Sequence, residues 1–164
     1  MPYKLILLVG IPASGKSTLS QKLIAKGFHC LNADSIRLEL YGNEITQGNA
    51  EDVFKIFFER MDDLLKEGKS ILVDNTNLKP EHRKQIIDRA KNQNYQDIQI
   101  WLLDVPLEVC LERNRNRERQ LPEDVIKHMH NELSRNWRPK RSEGKVVVLR
   151  PTPDGKDYLF FPQS

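Results

Sequence analysis

The apolar residues of this chain follow two alternating patterns. Short consecutive runs such as Lys4–Val9 are apolar at nearly every position, which is typical of strands buried on both faces of a parallel sheet. Longer segments carry apolar residues at helical spacing. One such face predicts a helix over roughly Ala50–Lys66 and consists of Val53, Ile56, Phe57, Met61, Leu64 and Leu65. The alternation of the two patterns indicates parallel βαβ units.

The whole pattern predicts one α/β domain. The predicted strands are Lys4–Val9, Phe28–Leu31, Ser70–Val73, Ile98–Leu103 and Lys145–Leu149, with Tyr158–Phe161 as a candidate edge strand. The predicted helices are one from near Gly15 to Ala25, then Ala50–Lys66, Lys79–Asn92, Leu107–Arg115 and one that begins at Pro122. The candidate linkers Gly42–Gly48 and Arg138–Gly144 are too short to divide the chain, so residues 1–164 are expected to form a single domain.

Composition narrows the function classes. The 164 residues carry a net charge of +3, which permits a polyanionic partner without requiring one. No apolar run approaches the roughly 20 residues that span a bilayer, so we expect no membrane partner. Cys30 and Cys110 each lie in an apolar stretch and belong to no CxxC pair. We interpret both as reduced core residues of a cytoplasmic protein, in preference to a disulfide or a metal site.

The segment Gly10–Ser17 fits the phosphate-binding pattern GxxxxGK[ST], and it lies between a predicted strand and a predicted helix as that motif requires. Its glycines let the backbone turn tightly, so that successive N–H groups face one anion at a helix N-terminus. Lys16 would add a full charge for the β- and γ-phosphates of ATP, and Ser17 a hydroxyl for Mg²⁺. The expected nucleotide-binding residues of the loop are Gly10, Pro12, Ala13, Ser14, Gly15, Lys16, Ser17 and Thr18. The alternative is a glycine-rich turn that binds nothing.

Asp34 and Arg37 follow the second predicted strand. Ligands of parallel α/β sheets bind at the carboxyl ends of the strands, so Asp34 is expected beside the phosphate loop. There it could take the proton from an attacking hydroxyl, and we also count it among the candidate Mg²⁺ ligands. Arg37 lies one helical turn further on and could clamp a phosphate or carboxylate of the acceptor. The alternative is that Asp34 only caps a helix and Arg37 is a surface residue.

Asp74 ends the apolar run of the third strand and is followed by Asn75, Thr76 and Asn77. An acidic residue in this position predicts a Walker B carboxylate, which would hold Mg²⁺ through water. The polar residues that follow could bind substrate. An ordinary strand-to-helix turn, with Asn and Thr as capping residues, is the alternative.

Four arginines, at positions 113, 115, 117 and 119, precede the helix that begins at Pro122. Arg113 and Arg117 are four residues apart, so we expect them to share a helical face. We interpret the region of about residues 113–136 as a lid whose guanidinium groups stabilise charge on the transferred phosphoryl group. The alternative is a solvated run of charge.

Taken together, these segments resemble the kinase domain of phage-type polynucleotide kinase and, more widely, the P-loop kinases that include zeta toxins. The phosphate loop alone is common to many NTPases, whereas the combination in this order is much more specific. The matching segments are GIPASGKST at Gly10–Thr18, NADSIR at Asn32–Arg37, DNTNLKPEHR at Asp74–Arg83 and DVPLEVCLERNRNR at Asp104–Arg117.

This resemblance implies a three-layer P-loop NTPase fold, in which a five-stranded parallel sheet has helices on both faces and a helical lid. It implies Lys16 and Ser17 on ATP and Mg²⁺, with Asp34 as general base. It also implies that Arg37 binds the phosphate of the acceptor. The lid arginines near the donor phosphates would be Arg117 and Arg113. The family's acidic residue in the third segment corresponds either to Asp74 or to the next position, where this chain has Asn75.

Three hypotheses remain for the acceptor. The first is a kinase for the 5′-hydroxyl of RNA or DNA, which Arg37 and the basic segment Arg135–Arg141 around Trp137 favour. The second is a kinase for a small molecule, such as a nucleoside, a sugar or a nucleotide-sugar of the zeta-toxin type. The third is a nucleotide-dependent switch without acceptor chemistry, which would need neither Asp34 nor Arg37.

Overall fold

The computed structural model describes residues 3–42 and 50–163, which form one six-stranded sheet with helices around it. The strand order is β2-β3-β1-β4-β5-β6. The first five strands pair in parallel, as predicted, whereas β6 joins the edge of the sheet antiparallel to β5. The candidate edge strand is therefore confirmed as a sixth strand.

The strands are β1 Lys4–Val9, β2 His29–Leu31, β3 Ile71–Val73, β4 Asp97–Leu103, β5 Lys145–Pro151 and β6 Tyr158–Pro162. The helices are α1 Lys16–Ala25, α2 Ala33–Tyr41, α3 Ala50–Lys66, α4 Pro80–Asn92, α5 Leu107–Arg115 and α6 Glu123–Glu132, and a π-helical turn over Leu133–Trp137 continues α6. The predicted linker Gly42–Gly48 lies outside the described residues except for Gly42.

The centre of the sheet is β1, which pairs with β3 on one side and with β4 on the other. Its residues Leu5–Val9 are at most 2% exposed, which explains why the strand is apolar on both faces. The connection from β1 runs toward β2, and the later parallel connections run the opposite way across the sheet. Since such crossovers are right-handed, this reversal puts helices on both faces and opens a crevice at the carboxyl end of β1.

Local interactions start two helices beside this crevice. Helix α1 begins directly after Gly15, whose φ of 96° is in the left-handed region that glycine tolerates. Helix α2 is capped by Asn32, whose side chain accepts the Ser35 N–H at 3.0 Å. The alternative in which Asp34 caps this helix is therefore wrong, and Asp34 lies within the first turn.

Two further expectations need correction. Cys110 is buried, but Cys30 is exposed because β2 is the edge strand of the sheet; both cysteines are free. Arg113 and Arg117 do not share a helical face, because α5 ends at Arg115 and Arg117 follows the helix. Within the described ranges, no helix combines the length and apolar character that a membrane crossing requires.

Candidate nucleotide and acceptor site

The phosphate loop connects β1 to α1 at the carboxyl edge of the sheet. Its turn uses left-handed backbone at Ala13, with φ 66°, and at Gly15. The Gly10 N–H donates to the Thr76 carbonyl at 3.2 Å, and the Ser14 N–H to the Ile11 carbonyl at 3.3 Å. A side chain at Gly10 would place its Cβ 2.7 Å from the Ser14 Oγ, so that the Ser14 side chain would have to move to admit it. The loop thus has the strand–turn–helix context of a phosphate cradle.

The remaining loop residues differ in their exposure. Pro12 and Ala13 are half-buried, whereas Ser17 and Thr18 are exposed at the start of α1. Ser14 is only 1% exposed, and its hydroxyl has no hydrogen-bond partner among the described residues. A bound phosphate oxygen would supply the missing acceptor for this hydroxyl.

Lys16 folds back over the loop and donates from Nζ to the Gly10 carbonyl at 2.9 Å. Burial lowers the pKa of this amine to about 8, against the opposing attraction of the Asp74 and Asp34 carboxylates; the Arg117 guanidinium lowers it further. Both carboxylates and Arg117 therefore lie within electrostatic reach of Lys16. The structure thus brings together four residues that the sequence analysis predicted for the site, namely Lys16, Asp34, Asp74 and Arg117.

Asp34 and Arg37 form an ion pair on the first turn of α2, with Arg37 Nη1 donating to Asp34 Oδ1 at 2.6 Å. The carboxylate is mostly exposed, whereas the guanidinium is largely covered. The Nε of Arg37 is buried and has no acceptor within residues 3–42 and 50–163. The pair therefore presents an accessible carboxylate to solvent, held in place by a largely covered guanidinium.

Asp74 is attached to α1 rather than free. Its Oδ2 accepts the hydroxyl of Ser20 at 2.7 Å, a contact that the sequence analysis did not identify. The next residue, Asn75, accepts the Ala33 N–H at 2.9 Å through its side chain and so holds the start of α2. Asn75 therefore holds the backbone at the start of α2. Asp74 is the carboxylate of this segment that interacts electrostatically with Lys16.

Arg113 reaches the phosphate loop from α5. Its Nη1 lies 3.1 Å from the position that a Cβ on Gly15 would occupy. Arg115 instead pairs with Glu123 at the start of α6. Of the predicted lid arginines, Arg113 is therefore near the loop backbone and Arg117 within electrostatic reach of Lys16.

Tyr158 is a site residue that the sequence analysis missed. Its hydroxyl donates to the Ser14 carbonyl at 2.5 Å and lies only 2.1 Å from the position of a Cβ on Gly15. The first strand's loop is thereby tied to the last strand of the sheet. The only signal in the sequence is an aromatic residue at the start of a candidate edge strand, which does not indicate a contact with Ser14.

Comparison with known proteins places this geometry in a family. The family model AAA_33, described as an AAA domain, matches residues 5–136. This range includes the phosphate loop, the Asp34–Arg37 pair and the predicted lid arginines 113 and 117. The chain belongs to this family. The AAA_33 match and the relatives below confirm the prediction of a P-loop kinase domain of the ATP-dependent phosphotransferase type.

Two curated relatives have kinase names. A protein of Autographa californica nuclear polyhedrosis virus, named as a bifunctional polynucleotide kinase/RNA ligase, is 32% identical over 133 residues, covering 73% of this chain and 19% of the viral protein. The L-seryl-tRNA(Sec) kinase of Methanococcus maripaludis is 29% identical over 138 residues, covering 77% of this chain and 51% of the archaeal protein. This AAA_33 chain thus spans about half or less of the length of these relatives.

Solved structures confirm the fold. A chain of the Pnkp1/Rnl/Hen1 RNA repair complex superposes with a TM-score of 0.72 at 22% identity, covering 99% of this chain and 49% of that one. The PezAT toxin–antitoxin system of Streptococcus pneumoniae follows with a TM-score of 0.67 at 18% identity, covering 97% and 72%. At these identities the likeness shows that the AAA_33 domain shares the architecture of those proteins.

Proposed function

We propose that this chain transfers the γ-phosphate of ATP to the 5′-hydroxyl of RNA or DNA. The observation that carries the proposal is the Asp34–Arg37 ion pair beside Lys16, because a carboxylate and a guanidinium on the acceptor side suit a hydroxyl flanked by a phosphate. The polynucleotide kinase and tRNA kinase names of its relatives support a nucleic-acid acceptor.

The proposed reaction is one in-line displacement. Asp34 accepts the proton of the attacking hydroxyl while its oxygen forms a bond to the γ-phosphorus. The bond between that phosphorus and the bridging oxygen of the β-phosphate breaks, and ADP leaves with the electron pair. Lys16 and the loop N–H groups counter the charge on the phosphates, and the lid arginines 113 and 117 add to this charge stabilisation.

Mg²⁺ fits the oxygen donors of this site. The exposed Ser17 hydroxyl and the carboxylate of Asp74 are hard ligands of the kind that magnesium takes together with water. A bound ion would neutralise charge on the donor phosphates. Among the described residues, no group of three or more His, Cys, Asp or Glu side chains is placed to hold a metal ion by itself.

An acceptor panel tests the proposed function. With γ-labelled ATP, oligonucleotides with a 5′-hydroxyl should be phosphorylated, and matched oligonucleotides with a 5′-phosphate should not. Use of the 5′-hydroxyl ends should fall as salt rises from about 50 to 200 mM, because phosphate contacts release counterions. The proposal is wrong if no 5′-hydroxyl end accepts phosphate at low salt while an uncharged small molecule does.

The affinity for ATP should fall as pH rises above about 8. Burial lowers the pKa of free Lys16 to about 8, and the phosphates of ATP must raise that pKa because they favour the charged amine. Above pH 8 the free protein has therefore lost a proton that the complex needs, and binding weakens by up to about tenfold per pH unit. Calorimetric titration with ATP between pH 7 and 10 measures this loss. Lys16→Arg is the control, since arginine stays charged in this range; an equal decline in that variant would contradict the assignment.

A further inference from the structure

A cavity of about 530 Å³ lies between α3, the loop that follows β3, α4 and the end of α6. This volume is typical of sites for small organic ligands. Its apolar walls are formed by Phe54, Phe58, Ile86, Met129 and Trp137. Polar side chains from Glu51, His82, Gln85 and His128 lie among them. The cavity therefore combines aromatic surfaces with a few hydrogen-bonding groups.

The part of the cavity that is lined by the loop after β3 adjoins the phosphate loop and the start of α2. Asn75 and Thr76 line the cavity and also contact the two halves of the site. The Thr76 carbonyl accepts the N–H of Gly10 in the phosphate loop, and the Asn75 side chain accepts the N–H of Ala33, the first residue of α2. Helix α2 carries Asp34 one residue later. A molecule in the cavity can thus extend past these two residues toward the carboxylate and the donor phosphates.

The walls of the cavity are held in place by Arg83, whose side chain is fully buried. Its five N–H donors are all used: two bind the Glu143 carboxylate, two bind the Asn77 and Leu78 carbonyls, and one binds the Trp137 carbonyl. One guanidinium therefore fixes both the loop after β3 and the turn that carries Trp137. Such a preformed cavity binds its ligand with little ordering cost.

The chemistry of these walls suits a planar, weakly polar ring. Aromatic side chains stack on nucleobases without strong preference for sequence, whereas a polyhydroxylated acceptor would leave its hydroxyl groups without partners against Phe54 and Phe58. We propose that this cavity binds the base of the acceptor's 5′-terminal nucleoside, and that the acceptor must carry a base next to the reacting hydroxyl. This inference rests on the proposed function.

Two oligonucleotides that differ in one group test the inference. Both end in a 5′-hydroxyl, but the terminal residue of one is abasic. The abasic end should be phosphorylated with a kcat/KM about 10- to 100-fold lower, because the stacking interactions of one base are lost. Equal use of both ends would overturn the inference and leave the proposed function intact. Phosphorylation of neither end would instead contradict the proposed function.

A variant assigns the preference to the cavity. Phe54 is partly exposed on α3, and its ring contacts those of Phe57 and Phe58. Phe54→Ala should bring the ratio of base-bearing to abasic kcat/KM close to one. Leu159→Ala, which removes a comparably exposed apolar side chain outside the cavity, should retain the wild-type ratio. An unchanged ratio in folded Phe54→Ala would contradict the assignment of the base to this cavity.

Discussion

Replacing Lys16 with alanine is expected to abolish phosphoryl transfer in a protein that remains folded. The amine lies over the phosphate loop, on the Gly10 carbonyl. Loss of one preorganised charge at the transferred group costs about 10²–10³ or more in turnover. Single-turnover transfer to a 5′-hydroxyl oligonucleotide measures the effect.

The thermal unfolding midpoint should not drop in this variant on account of the lost charge. Burial disfavours the charged amine, as its lowered pKa of about 8 shows, and alanine removes that cost. Lys26→Ala, at the other end of α1, is the matched control and should keep wild-type turnover. Undiminished transfer by Lys16→Ala would refute the central assignment of the loop.

Replacing Asp34 with asparagine should lower turnover by about 10²–10⁴ while ATP affinity stays close to that of the wild type. Asparagine has nearly the same shape and can still accept from Arg37, but it cannot take the proton. Helix α2 should be unaffected, because its cap is Asn32. Rates at saturating ATP together with a calorimetric affinity for ATP separate the two effects. A parallel loss of ATP affinity would make Asp34 a donor-site residue.

Arg37 gives a contrast within the same ion pair. Its guanidinium is proposed to bind the phosphate next to the reacting hydroxyl. Arg37→Ala should therefore act mainly on the KM of the nucleic acid. If it lowered only the turnover, like Asp34→Asn, the two residues would share one role and the acceptor clamp would be wrong.

Local signals predicted much of this fold. The structure gives α3 as Ala50–Lys66 and α5 as Leu107–Arg115, with the bounds that periodicity and glycine positions indicated. The phosphate loop was predictable because its motif, its preceding strand and its following helix are contiguous in sequence. The sixth strand could be named only as a candidate, since an edge strand carries a weaker apolar pattern.

Contacts between distant segments could not be predicted in the same way. Arg83 looks like an ordinary charged helix residue, yet it falls on the face shared by Ile86, Ile87 and Ala90, and that register was the available signal for its burial. Asn32 and Asp34 are both favourable N-cap residues and are only two positions apart, so the sequence alone does not determine which of them begins α2. The role of Tyr158 depends on a strand pairing that no local pattern specifies.

The bond between Tyr158 and Ser14 joins residues 144 positions apart, and it has a consequence for biosynthesis. Helix α1 and its loop can form early, because their contacts are local. The loop reaches its final surroundings only after β5 and β6 have emerged from the ribosome and paired. Closing contacts of such long sequence separation is slow. A nascent chain whose β5–β6 hairpin has not yet been synthesised should therefore lack the completed nucleotide site, even when most of the sheet has already assembled.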